Sequence, residues 1–451
     1  MISRVWKIVL TLLLLLLLSL LALGWYGYAL GDSYASAALT VSSQDSKTQN
    51  ETKSAPTTVL ERGAYLVRIG DCMACHTARG GAPFAGGRVM QSEFGQFVTP
   101  NVTSDKKTGI GDWSAEDFWN ALHNGKAKDG RLLYPSFPFV NYTHVSREDA
   151  DAMYAYLQSQ PAVVQENTAH SLAFPYNQRA ALSLWRALYF KPGALDYQSQ
   201  QSADWNRGAY LARGLAHCSA CHSTRNSLGA NQGSADFSGG EMAQIHWYAP
   251  SLQSANELNL PNWSEAELTQ LLVRGNNLKS SVAGPMAEVV QQSLQHLSDT
   301  DARSMATYLR ALPQQQQSAP DLLDRAIARP TVSKEKMLQI MERGEKIYKA
   351  QCLDCHGKGG EGVPGVYPAL KGNATLQIAS VSNPIRLILS GGFVPATKLN
   401  PRPYSMPPFA PVLDDGEVAT VLTYIRNAWG NKGEVVSPSE VNPYRTAALD
   451  Q

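Results

Sequence analysis

Cys72-Met73-Ala74-Cys75-His76, Cys218-Ser219-Ala220-Cys221-His222 and Cys352-Leu353-Asp354-Cys355-His356 together use all six cysteines of the chain. In each string two thiols stand one helical turn apart and a histidine follows at once. That spacing suits covalent attachment of one porphyrin. The thiols add to its two vinyl groups, and the next side chain lies under the ring, where imidazole binds iron. A redox dithiol has no need of the histidine. A zinc site wants four ligands where each cluster offers three. A disulfide framework leaves the triplication unexplained. The sequence thus predicts three covalently attached haem c groups, with His76, His222 and His356 as axial ligands.

Working outward, the surroundings of the motif repeat as well. Upstream lie Arg62-Gly63-Ala64-Tyr65-Leu66, Arg207-Gly208-Ala209-Tyr210-Leu211 and Arg343-Gly344-Glu345-Lys346-Ile347-Tyr348. Downstream, polar residues followed by acids at Ser146…Asp149, Ser298…Asp301 and Asp414…Glu417 predict capped closing helices, each with a tyrosine near its end. Ser114…Asp117 and Ser264…Glu267 mark middle helices. Each repeat therefore reads as a first helix, the haem motif, Gly/Pro-rich loops and a closing helix packed on the first. The expected divisions are a membrane or signal segment 1–31, a polar linker 32–57, and repeats at 58–165, 204–313 and 339–431. A connector 166–203, a linker 314–338 and a tail 432–451 complete the chain.

Arg4 and Lys7 precede an uncharged run from Ile8 to Gly31 that contains the leucine block Leu12–Leu18. The run is long enough to cross a bilayer, and its leading positive charges place the rest of the chain outside the cytoplasm. It reads as an uncleaved anchor on the periplasmic face of the membrane. A cleaved signal peptide is the alternative, with Ala35-Ser36-Ala37 as the cleavage triplet. The mean hydropathy of −0.24 excludes a polytopic membrane protein. A net charge of +1 gives no footprint for nucleic acid.

An electron-carrying haem has both axial positions filled, and methionine opposite histidine raises its potential. Met286, in Gly284-Pro285-Met286, and Met406, in Ser405-Met406-Pro407-Pro408, occupy matching loops of the second and third repeats. In the first repeat Phe137 stands at that place, in Tyr134-Pro135-Ser136-Phe137-Pro138, and phenylalanine cannot bind iron. Met90, His144 and Met153 are the replacement candidates, or the position is open. Gly357-Lys358-Gly359-Gly360-Glu361-Gly362 matches a dinucleotide fingerprint, but it follows a haem histidine rather than a strand and reads as a loop around the porphyrin.

This organisation resembles the class I cytochrome c fold, implying an all-α protein of three tandem cytochrome c domains after one N-terminal transmembrane or signal helix. Longer strings narrow the resemblance. Asn101-Val102-Thr103, Gly109-Ile110-Gly111-Asp112-Trp113-Ser114, His217-Cys218, Gly284-Pro285-Met286-Ala287-Glu288-Val289-Val290 and Arg426-Asn427-Ala428-Trp429-Gly430-Asn431 are similar to the tri-haem cytochrome c subunits of membrane-bound dehydrogenases, such as the alcohol and gluconate dehydrogenases. The resemblance covers nearly all of residues 58–431. It implies a partner subunit carrying flavin, quinone or molybdenum that oxidises substrate, and delivery of electrons to ubiquinone, a downstream cytochrome or an oxidase. Phe137 departs from the alcohol dehydrogenase members and is closer to cytochromes paired with molybdenum enzymes. On this reading the chain is an electron-transfer subunit with no catalytic residue of its own. The rival is a stand-alone multihaem oxidoreductase acting on a small molecule such as peroxide or thiosulfate at an open first haem.

Overall fold

The computed structural model describes residues 4–30, 58–314 and 332–445. The polar linker at 32–57, the Ala35–Ala37 triplet, most of the 314–338 linker and residues 446–451 lie outside them. The described chain forms two compact bodies. The first holds the residues up to Tyr197 together with Arg213–His217 and Arg225–Ala235; the second holds Gln198–Ala212, Cys218–Thr224 and the residues from Asp236 onward.

In the first body, α1 (Arg4–Ala29) is the apolar helix, and Trp6–Ala29, which contains an 18-residue window of mean hydropathy 2.8, is long and apolar enough to cross a membrane. Next come α2 (Val59–Ile69), α3 (Ala115–Asn124), α4 (Arg147–Ser159) and α5 (Ala181–Tyr189). In the second body, α6 (Ala203–Ala209), α7 (Glu265–Arg274), α8 (Pro285–Gln292) and α9 (Asp299–Arg310) form the second repeat. The third is built from α10 (Lys334–Gln351), α11 (Ser382–Ser390) and α12 (Asp415–Asn427). Every cap read from the sequence forms: Ser114, Ser146, Ser264, Ser298 and Asp414 each accept the N–H three residues on.

One packing device occurs three times. α2 crosses α4, α6 crosses α9 and α10 crosses α12, each at the glycine of the Arg-Gly pair. A Cβ on Gly63 would lie 2.0 Å from the Ala152 carbonyl oxygen, and one on Gly208 would lie 2.0 Å from that of Ser304. On Gly344 it would lie 2.5 Å from the Tyr424 Cβ. The arginine beside each glycine reaches the acid at the third position of the opposing helix. Arg62 lies 2.6 Å from Asp149, Arg207 lies 2.8 Å from Asp301, and Arg343 lies 3.8 Å from Glu417. Backbone fills the space that a side chain would need, so Gly208→Ala should destabilise the second repeat by about 2–3 kcal/mol. A guanidinium unfolding curve with a lowered midpoint would show it, and an unchanged midpoint would mean that the crossing tolerates a methyl group.

The all-α expectation is corrected by three small antiparallel sheets. β1 (Val89–Ser92) pairs with β2 (Gly95–Val98), which pairs in turn with β3 (Ser171–Leu172). β4 (Gly240–Met242) pairs with β5 (Trp247–Ala249), and β6 (Gly392–Phe393) with β7 (Ser405–Met406). The reason is backbone polarity. The loops after each haem motif run close to the core, where water cannot serve every N–H and C=O, so neighbouring loop segments pair with each other. At two to four residues, these strands are too short to show an alternating pattern.

The connector and tail also pack. The Asn101 N–H donates to Asn167 Oδ1 at 2.7 Å, and Asn167 and β3 both belong to the connector. Val436, Val441 and Tyr444 are buried in the third repeat's core together with Tyr348, Ile385, Val418 and Leu422.

Candidate functional site

Each haem motif turns once and closes on itself. The N–H of His76, His222 and His356 donates to the carbonyl of Cys72, Cys218 and Cys352 at 2.8, 3.0 and 3.0 Å. That turn brings the two thiols of a pair to one side and puts the histidine at its end. None of the six cysteines is joined to another in a disulfide. Burial first, and the paired thiol among the further causes, pushes Cys72 and Cys218 up to about 12 and Cys352 to about 11. Raised in this way, the thiols stand in their neutral form. Among the described residues, no group of three or more His, Cys, Asp and Glu is arranged to hold a metal ion by itself.

Two further contacts repeat at every site. The imidazole Nδ1 donates to a proline carbonyl: His76 to Pro100 at 2.8 Å, His222 to Pro250 at 2.7 Å, His356 to Pro368 at 3.0 Å. A carbonyl only accepts, so Nδ1 carries the proton and Nε2 keeps its lone pair. Burial lowers the pKa of all three rings, against a smaller opposing effect of the proline carbonyl. Each histidine thus presents a neutral imidazole of fixed tautomer, with one nitrogen tied to the protein as in metal-binding imidazoles.

The second contact involves glycine. The carbonyls of His76, His222 and His356 accept from the N–H of Gly86, Gly239 and Gly362 at 2.8, 2.9 and 2.8 Å. All three glycines have positive φ (74, 85 and 62°). A Cβ would lie 2.4 Å from Pro100 on Gly86, 2.8 Å from Ser251 on Gly239, and 2.8 Å from Pro368 on Gly362. Only glycine lets the loop lie against the proline segment that holds the imidazole. Gly362 belongs to the string that imitates a dinucleotide fingerprint, and this contact is what it does here. Sequence reading missed both the prolines and the glycines. The signal was a Gly and a Pro downstream of every motif, at spacings too variable to stand out.

The distal candidates differ between repeats. Met406 lies in β7 opposite Gly392 and packs against the same apolar core as Cys352. Met286 is the second residue of α8, half-buried, after the positive-φ Gly284. In the first body, Phe137 is half-buried with its ring 5.4 Å from that of Tyr142. Tyr142 is buried and donates to the Gly70 carbonyl at 2.9 Å, and burial, followed by Cys72, Cys75 and Asp71, raises its pKa. The His217 ring stands edge-on to it at 5.4 Å. Tyr142 stood in no motif, and His217 only in a string that carried the resemblance. The named replacements lie in three different settings. His144 uses both nitrogens at 2.7 Å, Nδ1 on the Gly193 carbonyl and Nε2 on Ser234 Oγ. Met153 is fully buried on α4, and Met90, on β1, packs against Phe97, Leu132, Tyr134 and Leu182.

Burial lowers further imidazoles of the first body, among them His123, His144 and His217. Burial lowers His123 and His144 from 6.5 to about 4, with His144 adding to the effect on His123. The fold accepts them only as neutral bases, so their contribution is complete above the unfolded value and declines as pH falls from 6.5 toward 4. For His123, which is buried and stacked 4.3 Å from Trp119, that decline is about 3 kcal/mol. Urea unfolding at pH 7 and pH 4.5 should show it for the first body, with His123→Phe removing that share and leaving the dependence due to His144 and His217. An equal pH slope in the variant would remove His123 as the cause.

The cytochrome c family model matches residues 60–161 and 341–429, the first and third repeats. A nicotinate dehydrogenase subunit of Pseudomonas putida is 38% identical over 394 residues, covering 85% of this chain and 32% of that protein. The chain thus spans about a third of that relative's length. The gluconate 2-dehydrogenase cytochrome c subunit of Pantoea cypripedii is 37% identical over 388 residues, covering 83% of this chain and 86% of that one. The cytochrome c subunit of the quinone alcohol dehydrogenase of Gluconobacter oxydans is 34% identical over 401 residues, with 86% and 82% covered.

Proposed function

This chain belongs to the cytochrome c subunits of dehydrogenases and works in electron transport, and from that premise we propose that it is a tri-haem wire from a partner dehydrogenase subunit to membrane ubiquinone or a terminal acceptor. The observation that carries the reading is the threefold site: a thiol turn, an imidazole tied at Nδ1 to a proline carbonyl, and a glycine under the histidine carbonyl. The donor set fits haem c at all three places, including the second repeat, which the family model leaves unmatched. Bound haem supplies the one-electron couple. The chain's own residues attach it, present Nε2 and exclude water. Met286 and Met406 are the proposed distal ligands of the second and third sites.

The partner proposed is a flavin-, quinone- or molybdenum-bearing dehydrogenase subunit, which should co-purify with the native complex. A pyridine haemochrome assay with intact mass should return three haems per chain. Two haems, with Cys218 and Cys221 unmodified, would end the tri-haem reading.

Phe137 favours one second reading, an open sixth position at the first haem, where a small molecule such as peroxide or thiosulfate would react. Carbon monoxide added to the reduced protein should bind at one haem of three if that reading holds. No uptake removes its motive.

For location we propose an anchor that stays attached on the periplasmic side. Within the first body, the Arg186 guanidinium donates to the carbonyls of Gly27 and Leu30 at the end of α1, at 2.9 and 2.8 Å. It also donates to that of Asn124 at the end of α3, at 2.6 Å. A Cβ on Gly27 would lie 1.8 Å from the Ser183 carbonyl oxygen of α5. These contacts make the end of the apolar helix part of the first haem unit, which supports retention over cleavage.

A further inference from the structure

The middle haem site shares one segment with the third repeat, inside the second body. β5 leads directly into Pro250, whose carbonyl accepts the His222 Nδ1–H at 2.7 Å. On one side β5 pairs with β4. On the other, Asn383 of α11 takes the place of a neighbouring strand. Its Oδ1 accepts the Tyr248 N–H at 2.9 Å, and its Nδ2 donates to the Tyr248 carbonyl at 2.8 Å. One side-chain amide thus satisfies both backbone groups of a residue that is 5% exposed.

The same strand borders the distal side. The Trp247 ring lies where a Cβ on Gly284 would be, 2.5 Å away, two residues before Met286. From α11 the Arg386 guanidinium stands 5.1 Å from the centroid of that ring. Three residues, Trp247 to Ala249, therefore connect the histidine frame and the methionine loop of the middle site, and α11 of the third repeat holds them.

We propose that Asn383 is a positioning residue for the middle haem: by fixing β5 it fixes the Pro250 carbonyl on His222, so the third repeat sets the middle site's reduction potential. The idea rests on the tri-haem reading. A hydrogen bond from Nδ1 to a carbonyl makes the imidazole a stronger donor and favours ferric iron. Loosening β5 weakens that bond and favours ferrous iron.

The test is a spectroelectrochemical titration of the full chain carrying Asn383→Leu. Haem content is measured first; a middle site without haem sinks the tri-haem reading and is seen before any potential is measured. The expected result is one couple displaced about tenfold toward the reduced form, about 59 mV for one electron, with the other two unmoved. Trp247→Leu should displace that same couple, and Asn383→Gln, which keeps both amide groups, should recover part of the shift. Three unmoved couples, a displacement toward the oxidised form, a joint drift of all three, or a different couple responding to Trp247→Leu would each overturn the proposal.

Discussion

A chain with serine at both Cys352 and Cys355 should carry two haems in place of three and lose the fold of residues 332–445, while the first body keeps its protection. Tyr348, Ile385, Val418 and Leu422 form the third repeat's core, and Cys352, Leu353 and Met406 border it. These are the attachment point and the proposed distal ligand of the haem. A domain has only a small stability margin to lose, and on the tri-haem reading the porphyrin fills part of this repeat's interior. Its loss removes binding free energy available only to the folded chain. The expected deficit matches or exceeds the whole margin, about 5–15 kcal/mol, that separates a domain from its unfolded state. Intact mass would count the adducts, and limited trypsin digestion would locate the unfolding. A third repeat that stays resistant with its cysteines gone would show that the polypeptide core is sufficient.

The second large effect is expected at Arg186, which is fully buried. Its guanidinium serves three carbonyls and lies 4.6 Å from the Phe190 ring. Arg186→Met keeps the volume and leaves Gly27, Asn124 and Leu30 with unserved carbonyls. Hydrogen bonds from a charged donor contribute about 1.5–3 kcal/mol each. The loss should therefore be about 4.5–9 kcal/mol, and Arg186→Lys should recover little, since one ammonium cannot span the three acceptors. The readout is thermal unfolding of the detergent-solubilised chain, with protease cutting after α1 as a second measure. A variant that melts with the wild type would mean that the helix end is held by its packing on Ser183 and not by the arginine.

The parts of this protein that were legible beforehand are local. Two thiols and a histidine on one turn, an Arg-Gly pair, and a serine three residues before an acid are each stated within five residues, because the hydrogen bonds involved span three or four positions. Their triplication gave the repeats and the placement of the helices. The sheets were missed, and with them the all-α expectation fell, because strands of two to four residues carry no period and exist to pair loop backbone near the core.

By itself, then, the sequence laid out the local motifs: three Cys-x-x-Cys-His strings on six cysteines, methionines in two downstream loops, phenylalanine in the third, and an apolar helix in front. Only the tertiary structure decided how the sites are held. Pro100, Pro250 and Pro368 face the imidazoles from positions with no common spacing. His144, open to either role on paper, has both nitrogens taken by Gly193 and Ser234. Arg186 and Asn383 find backbone partners far away in sequence. A carbonyl oxygen has the same chemistry at every residue, so nothing in the letters marks the one that will accept; its position in space makes that choice.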